Sequence, residues 1–185
     1  MSSPNLQPTL TGPRLTLRPI KSSDWSDLSE AAADPAIWAG HTQTDRYKTD
    51  VFRGFFETAI ACNAAFVVVD NQTGALIGSS RFHNYDATLS EIEIGWTFLT
   101  KPYWGGGFNA EMKHLMLSHA FTFVETVVFW VALENEISAK AMAKIGGRVR
   151  DGEFSRPDPD GSHDTYRVFE ITRDGFAKGP ISTLA

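Results

Sequence analysis

The chain has 185 residues, 42% of them hydrophobic and 21% charged, which is the composition of one globular domain and not of a disordered segment. Its formal net charge of −5 excludes a general nucleic-acid binder, because such proteins need a basic face. Cys62 is the single cysteine, so a disulfide framework and a cysteine zinc site are excluded. The absence of a signal pattern or of an apolar run of roughly 18 residues leads us to expect a cytoplasmic protein without a membrane partner.

Hydrophobic periodicity divides the chain into alternating elements after a flexible tail over residues 1–9. Turns are expected at residues 71–74 and at the Pro-Asp-Pro-Asp-Gly run of residues 157–161. The remaining elements, in chain order, are a strand over Arg14–Ile20, helices over Ser22–Ala33 (ended by Pro35) and Thr49–Cys62, strands over Ala65–Asp70, Ala75–Tyr85 and Ser90–Leu99, a helix over Phe108–Val124, a strand over Thr126–Leu133, a helix over Ile137–Ile145, and strands over Arg148–Ser155 and Asp164–Thr172.

This order predicts the fold class. Three consecutive strands joined by short turns should be antiparallel, whereas a later strand–helix–strand step should form a parallel pair. We therefore expect an α/β protein of the α+β type, with a central mixed sheet of about seven strands and helices on both faces. One domain over residues 10–175 would be followed by a C-terminal tail over residues 176–185.

A glycine triplet is the most informative local feature. Gly105, Gly106 and Gly107 lie between a strand and a helix, where glycine allows a tight turn and a close approach of backbone N–H groups to a ligand. A helix N-terminus adds free donors and partial positive charge, so the segment predicts a seat for a phosphate. A phosphate site beside acidic groups indicates a nucleotide-type cofactor and proton-transfer chemistry.

The acidic groups are Glu91 and Glu93, which share one face of the strand that leads to the glycines. One interpretation is a pair of exposed carboxylates at a sheet edge. The other is a general base for an attacking amine, a role that needs an upward pKa shift through partial burial. The sequence does not separate the two glutamates. The histidines have no metal-ligand spacing, and no metal site is expected.

With these elements in place, the chain resembles the GNAT superfamily of acetyl-CoA-dependent N-acetyltransferases. It is most similar to the branch that contains the ribosomal-protein N-terminal acetyltransferases RimJ and RimL. The resemblance covers residues 10–175 and departs from the family pattern at Pro102, where Arg or Gln is common. Three segments carry it: Arg14-Leu-Thr-Leu-Arg-Pro-Ile with Asp24; Glu-Ile-Gly-Trp at 93–96 with Tyr-Trp-Gly-Gly-Gly-Phe-Asn-Ala-Glu at 103–111; and Asn135-Glu-Ile-Ser138 with Lys144-Ile-Gly-Gly147.

The resemblance implies that acetyl-CoA is a co-substrate, bound where the Ser90–Leu99 and Thr126–Leu133 strands splay apart. Asn135 would bond the pantetheine arm, and Ser138 would lie near the thioester sulfur as a partner of the leaving thiolate. An amine, from a protein N-terminus or a small molecule, would attack the thioester directly. Backbone groups of the following residues would hold the cofactor: Trp96, Thr97, Phe98 and Leu99 along the pantetheine, and Trp104, Gly105, Gly106, Gly107, Phe108 and Asn109 at the pyrophosphate.

Each of these motifs also has an interpretation other than acetyl-CoA binding or catalysis. Gly105-x-Gly107-x-x-Ala110 also matches the dinucleotide fingerprint, but about six residues separate the strand from the glycines, where that motif requires a direct junction. Asn135 and Ser138 are also good helix N-caps. A non-catalytic acyl-CoA sensor of the same fold would keep the glycine turn. The expected partners are acetyl-CoA, the amine acceptor and, as one option, a second copy of the chain.

Overall fold

A computed structural model of the chain describes residues 3–157 and 163–183. At its centre is one mixed sheet of nine strands. The strands are β1 (Leu10–Thr11), β2 (Leu15–Pro19), β3 (Ala65–Asp70), β4 (Leu76–Asp86), β5 (Glu91–Leu99), β6 (Thr126–Ala132), β7 (Arg148–Val149), β8 (Phe154–Pro157) and β9 (His163–Thr172). The α-helices of the described ranges are α1 (Trp25–Ala31), α2 (Pro35–Trp38), α3 (Thr49–Ala61), α4 (Phe108–Ala120), α5 (Glu136–Lys144) and α6 (Arg173–Ala177).

The strand order confirms the mixed sheet. Strands β3 to β5 form an antiparallel meander, and β2 pairs antiparallel with β3 although the segment with α1 to α3 lies between them in the chain. β5 and β6 run parallel, and α4 makes the crossover that a parallel pair requires. β9 then returns antiparallel to β6 on its other side.

The sheet has nine strands and not about seven because two short strands join it. β1 adds a two-residue pair beside β2. The stretch expected as a single strand, Arg148–Ser155, forms β7 and β8, with Gly152 between them at a φ of +126°. Both pieces pair with β9. A residue at that φ leaves the extended region, so one continuous strand is excluded there.

Each face of the sheet is covered by an apolar cluster. β3 shows how this arises, because alternate residues of a strand point to opposite faces. Phe66 and Val68 pack in the cluster that contains Met112 and Met116 of α4. Ala65 and Val67 pack in the opposite cluster, which contains residues of α1, α2 and α3. The sheet is therefore buried on both sides, and helices lie on both faces as expected.

Three helical segments differ from the expectation, and one of them is α4, which was expected to reach Val124 but ends at Ala120. The segment expected as one helix over Ser22–Ala33 is a 3₁₀ turn followed by α1, which ends at Ala31. Pro35 was expected to end a helix, and in the structure it is the first residue of another, α2. Its fixed φ suits that position, and the side chain of Asp34 caps the helix by accepting a bond from the Ala36 N–H.

Both segments expected as tails pack on the domain, and in the C-terminal one Ile181 is 4% exposed within the α4 cluster. Leu6, within the segment expected as a tail, packs against the α4 cluster. Gln7 Nε2 donates to the Ala65 carbonyl at 2.7 Å. Most of the turn expected at residues 157–161 lies outside the described residues. Among the helices of the described ranges, none combines the length and the apolar character needed to cross a bilayer.

Candidate active site

The parallel strands β5 and β6 separate soon after they begin to pair. Their pairing covers only Glu91–Glu93 with Thr126–Val128. Beyond it, β5 stays bonded to β4 and β6 stays bonded to β9, so within the described chain the facing edges of β5 and β6 have no strand between them. A cavity of about 940 Å³ opens at this gap. This is the splayed pair that the resemblance implied, and its free edges can accept an added extended chain.

A β-bulge shapes the β5 side of the gap. Arg81 pairs with Gly95 and Ser79 pairs with Phe98, so β5 has one residue more than β4 between the two pairs. Trp96 lies in this bulge with a φ of +49°, which is uncommon for a bulky residue. The extra residue reverses the alternation of side chains along the rest of β5. Thr97 therefore faces α4, and Phe98 packs on the opposite face.

The glycine turn lies at one end of the gap. After β5, the 3₁₀ turn Lys101–Tyr103 leads to Gly105 and Gly107, which have φ values of +75° and +84°. Gly107 is the N-cap of α4, and no side chain caps this helix. The first amides of α4 are those that a helix leaves without an internal partner. Gly105, Gly107 and Asn109 line the cavity. The turn thus presents backbone donors to the gap, as a phosphate site requires.

One residue of the glycine turn bonds back to the end of β5. Trp104 Nε1 donates to the Leu99 carbonyl at 2.7 Å. The resemblance implied that Leu99 pairs with the pantetheine arm, and this bond occupies one of the two lone pairs of its carbonyl oxygen. The backbone groups of the residues before Leu99 remain for such pairing.

An ion pair between Arg14 and Glu111, which the sequence analysis did not single out, connects the glycine turn to β2 and α4. Glu111 of α4 is 2% exposed, and its Oε1 accepts bonds from the Arg14 and Leu15 amides at 2.8 and 3.1 Å. Its Oε2 accepts from Arg14 Nε at 2.8 Å, while Arg14 Nη1 donates to the Gly106 carbonyl at 2.8 Å. The start of β2, the glycine turn and the start of α4 are therefore connected through one buried carboxylate. Arg14 and Glu111 both stand in the segments that carry the family resemblance.

The two glutamates of β5 have different surroundings. Ile92 and Ile94 pack in the α4 cluster, so Glu91 and Glu93 project from the other face, as the alternation predicts. Glu91 binds Arg150, with Oε2 2.6 Å from Nη2, and is not among the residues that line the cavity. Glu93 does line it and is 1% exposed. Only one of the two carboxylates therefore faces the gap.

Glu93 is held by one arginine and lies among aromatic rings. Arg156 Nη1 is 3.0 Å from both Oε1 and Oε2 of Glu93. The Arg156 guanidinium lies about 5 Å from the ring centroids of Trp96, Trp130 and Tyr166. Burial raises the pKa of the Glu93 carboxyl, and the charge and hydrogen bonds of Arg156 act in the opposite direction. A raised pKa in a cavity is what a general base near neutral pH requires.

Asn135 and Ser138 meet at the start of α5. Asn135 is the N-cap, and its Oδ1 accepts from the Ser138 amide at 3.0 Å. The capping role that the residue type indicates is therefore present for Asn135. The Ser138 side chain does not cap the helix. Both residues line the same cavity as Glu93 and the glycine turn.

Lys113 of α4 is a second residue of the site that the sequence analysis did not single out. It is 2% exposed, and its Nζ donates to Thr97 Oγ1 at 2.8 Å, on the α4 side of the gap. Burial lowers the pKa of this lysine to about 7. The signal that the sequence carries is weak, because a lysine next to one apolar stripe of a helix is usually solvent-exposed.

Comparisons with known proteins identify this arrangement. Residues 14–148 match the family model described as the acetyltransferase (GNAT) domain. A GCN5-related N-acetyltransferase from Brucella melitensis is similar in structure, with a TM-score of 0.81 at 17% identity over 92% of this chain and 80% of that one. An acetyltransferase of the GNAT family from Bacillus anthracis has a TM-score of 0.72 at 23% identity over 90% and 99%.

RimJ from Mycobacterium smegmatis, solved in complex with CoA-disulfide, is a further structural neighbour. It has a TM-score of 0.75 at 20% identity over 98% of this chain and 95% of that one. This neighbour agrees with the branch that the sequence motifs indicate. No curated protein matches the chain. At these identities the structural likeness shows the fold, while the family match rests on 135 residues of the sequence, from 14 to 148.

Proposed function

Because the chain belongs to the family of GNAT acetyltransferases, we propose that it transfers the acetyl group of acetyl-CoA to a primary amine. The observation that carries the proposal is the continuous cavity between β5 and β6, which joins the glycine turn at one end to the buried Glu93 at the other. The acceptor is a protein N-terminus, as the RimJ-like fold favours, or a small-molecule amine.

The residues of the gap fit acetyl-CoA. The amides of Gly105 to Asn109 would hold the pyrophosphate, since the turn and the uncapped start of α4 both present donors. The pantetheine arm would lie between the strand edges and pair with the backbone of Trp96, Thr97 and Phe98, as an added strand does. Its thioester would then lie toward the closed end of the gap, next to the paired stretch of β5 and β6.

Glu93 is the proposed base. An amine must lose a proton when it forms an amide, and an α-amino group with a pKa of about 7.7–8.0 gives its proton up far more readily than a lysine does. Each oxygen of a carboxylate accepts more than one hydrogen bond. Glu93 can therefore accept a bond from the amine while Arg156 stays bound to it.

The cofactor site can be tested with a pair of glycine variants. Gly105→Val is expected to weaken acetyl-CoA binding by at least tenfold, about 1.4 kcal/mol, because a branched side chain would stand where the backbone approaches the pyrophosphate. Gly105 is a better position than Gly107, where a Cβ would lie 2.9 Å from Arg14 Nη1 and disturb the support of the turn. Binding is measured by isothermal titration calorimetry.

Gly74→Val is the matched control. Gly74 has the same φ of +75°, and a Cβ there also meets open space, but it lies in the turn between β3 and β4. Both variants carry the same backbone strain. Equal affinities for acetyl-CoA in the two folded variants would show that Gly105 does not contact the cofactor.

Ser138 is the proposed hydrogen-bond donor to the leaving sulfur. Ser138→Ala is expected to lower kcat by up to about tenfold, the effect of one hydrogen bond of about 1–1.5 kcal/mol made in the transition state, with acetyl-CoA binding unchanged. The stability should change by less than about 0.5 kcal/mol because its hydroxyl is not the helix cap. Steady-state kinetics and thermal unfolding measure the two effects. An unchanged kcat would leave the residue without a catalytic role.

A further inference from the structure

Lys113 lies on the α4 side of the gap, at its closed end. Its Nζ contacts Thr97, which follows the bulge of β5, and lies 5.4 Å from the ring centroid of Phe129, the first residue of β6 beyond the parallel pairing. The residue lines the cavity that contains Glu93 and Ser138. Among the described residues, Lys113 is the one buried cation that lines this gap. It lies where the two strands separate.

This position is costly for a lysine. Moving an ammonium group out of water costs several kcal/mol unless a carboxylate or several hydrogen bonds compensate. Within the described ranges no carboxylate forms an ion pair with Lys113. The acidic groups on the elements around it have other partners, since Glu111 binds Arg14, Glu91 binds Arg150 and Glu93 binds Arg156. The two histidines of α4 bind backbone carbonyls elsewhere. A methionine would fill the same space without this cost.

The surroundings orient the amine. Thr97 Oγ1 accepts from Lys113 Nζ at 2.8 Å, and the same hydroxyl lies 2.8 Å from Ser80 Oγ on β4. An ammonium group has three N–H donors. Thr97 uses one of them and the face of Phe129 attracts the positive charge, so a donor remains for a ligand in the gap.

We propose that Lys113 is a catalytic acid of the transfer, which protonates the sulfur of CoA as it leaves. The assignment rests on the proposed acetyltransferase function. The amine nitrogen forms a bond to the acetyl carbon, the carbon–sulfur bond breaks, and its electron pair stays on sulfur. Lys113 gives one proton to that sulfur and becomes neutral. The amine loses one proton to Glu93, so CoA leaves as the thiol, and both side chains re-equilibrate with solvent.

The acidity of the group agrees with this role. The pKa of Lys113 is lowered by burial from 10.5 to about 7. A general acid works best when its pKa lies near the working pH, and the pKa of a free thiol is about 8.5. A lysine of ordinary pKa would release its proton less readily, and a serine hydroxyl carries no charge to neutralise the thiolate. Ser138 then adds a hydrogen bond, while Lys113 supplies the proton.

The test measures the thiol pKa of bound CoA from the ultraviolet absorbance of its thiolate as the pH is raised. A buried cation next to a thiol stabilises the thiolate. While Lys113 is protonated its charge favours the thiolate, so in the wild-type complex the first proton of this coupled pair should be lost, with thiolate appearing, at least one pH unit below the thiol pKa of free CoA. In Lys113→Met the bound thiol should titrate at or above its value in solution. Lys178→Met, at an exposed lysine of the chain that pairs with Asp174, is the matched control and should behave as the wild type does.

Kinetics supply the second readout. Lys113→Met should lower kcat at least tenfold with the KM for acetyl-CoA unchanged, and the alkaline fall of the wild-type rate should disappear. A bound thiol with an unshifted pKa in the wild type, or an unchanged kcat in a folded Lys113→Met, would overturn the assignment of Lys113 and leave the acetyltransferase function in place. A wild-type protein that binds no CoA at all would overturn both.

Discussion

Glu93→Gln is expected to reduce acetyl transfer by about 10²–10⁴-fold at pH 7, the usual loss when a general base is removed. Glutamine keeps the shape of the side chain and removes the charge that attracts the proton of the amine. The base must be ionised, so the wild-type rate should rise as the pH passes upward through the pKa of Glu93. Burial raises that pKa above the ordinary value, and the rise should therefore lie above the usual range for a glutamate. Initial rates of thiol release, measured from about pH 4.5 upward, cover both effects.

The loss in Glu93→Gln should shrink as the pH increases, because the amine then loses its proton to water. Glu91→Gln is the matched comparison on the same strand, since Glu91 is bound to Arg150 and does not line the cavity. A large loss in Glu91→Gln with a normal rate in Glu93→Gln would assign the base to the other glutamate. Normal rates in both variants would leave positioning of the amine as the main contribution to catalysis.

Glu111→Ala is expected to lower the free energy of unfolding by about 2–4 kcal/mol, because two backbone amides lose their acceptor at about 1–3 kcal/mol each, whereas the Arg14 side chain is 44% exposed and can be hydrated. The substitution removes the acceptor of three hydrogen bonds and leaves the Arg14 and Leu15 amides unpaired. Arg14 also holds the Gly106 carbonyl, so acetyl-CoA affinity should fall together with stability. Denaturant unfolding and calorimetry measure the two quantities.

Glu125→Ala is the control for that effect. Glu125 also pairs with an arginine, Arg173, at 3.1 Å, but its side chain is 62% exposed. Exposed pairs contribute about 0–1 kcal/mol, so this variant should unfold like the wild type. If the two alanine variants lose the same small amount of stability, Glu111 does not hold the glycine turn in place.

The sheet and the glycine turn were predictable because each has a periodic or compositional signal. Alternating and continuous apolar runs located β3 to β6 within one or two residues, and Gly105 to Gly107 located the turn. The bulge at Trp96 was not predictable. Alternation along Glu91–Leu99 assumes one residue per step on both strands, and nothing in the local sequence shows that β5 has one residue more than β4.

The burial of the charged residues of α4 could not be predicted from the sequence either. An apolar stripe predicts one buried face, whereas α4 buries a wider arc that includes Glu111 and Lys113. The buried role of each depends on a partner distant in the chain, Arg14 for Glu111 and Thr97 for Lys113. Glu93 also depends on a distant partner. It binds Arg156 and Glu91 binds Arg150, and only the folded structure shows this difference between the two glutamates.

Acetyl transfer is tested directly by the release of free CoA from acetyl-CoA by the purified protein, with a panel of amines that includes N-terminal peptides, lysine, amino acids, polyamines and aminoglycosides. We expect thiol release that depends on at least one primary amine, with one acetylated amine formed for each CoA. Glu93→Gln should lower that rate with the acetyl-CoA affinity intact. Tight binding of acetyl-CoA without amine-dependent release for any member of the panel would contradict the proposed acetyltransferase activity and indicate a non-catalytic acyl-CoA sensor.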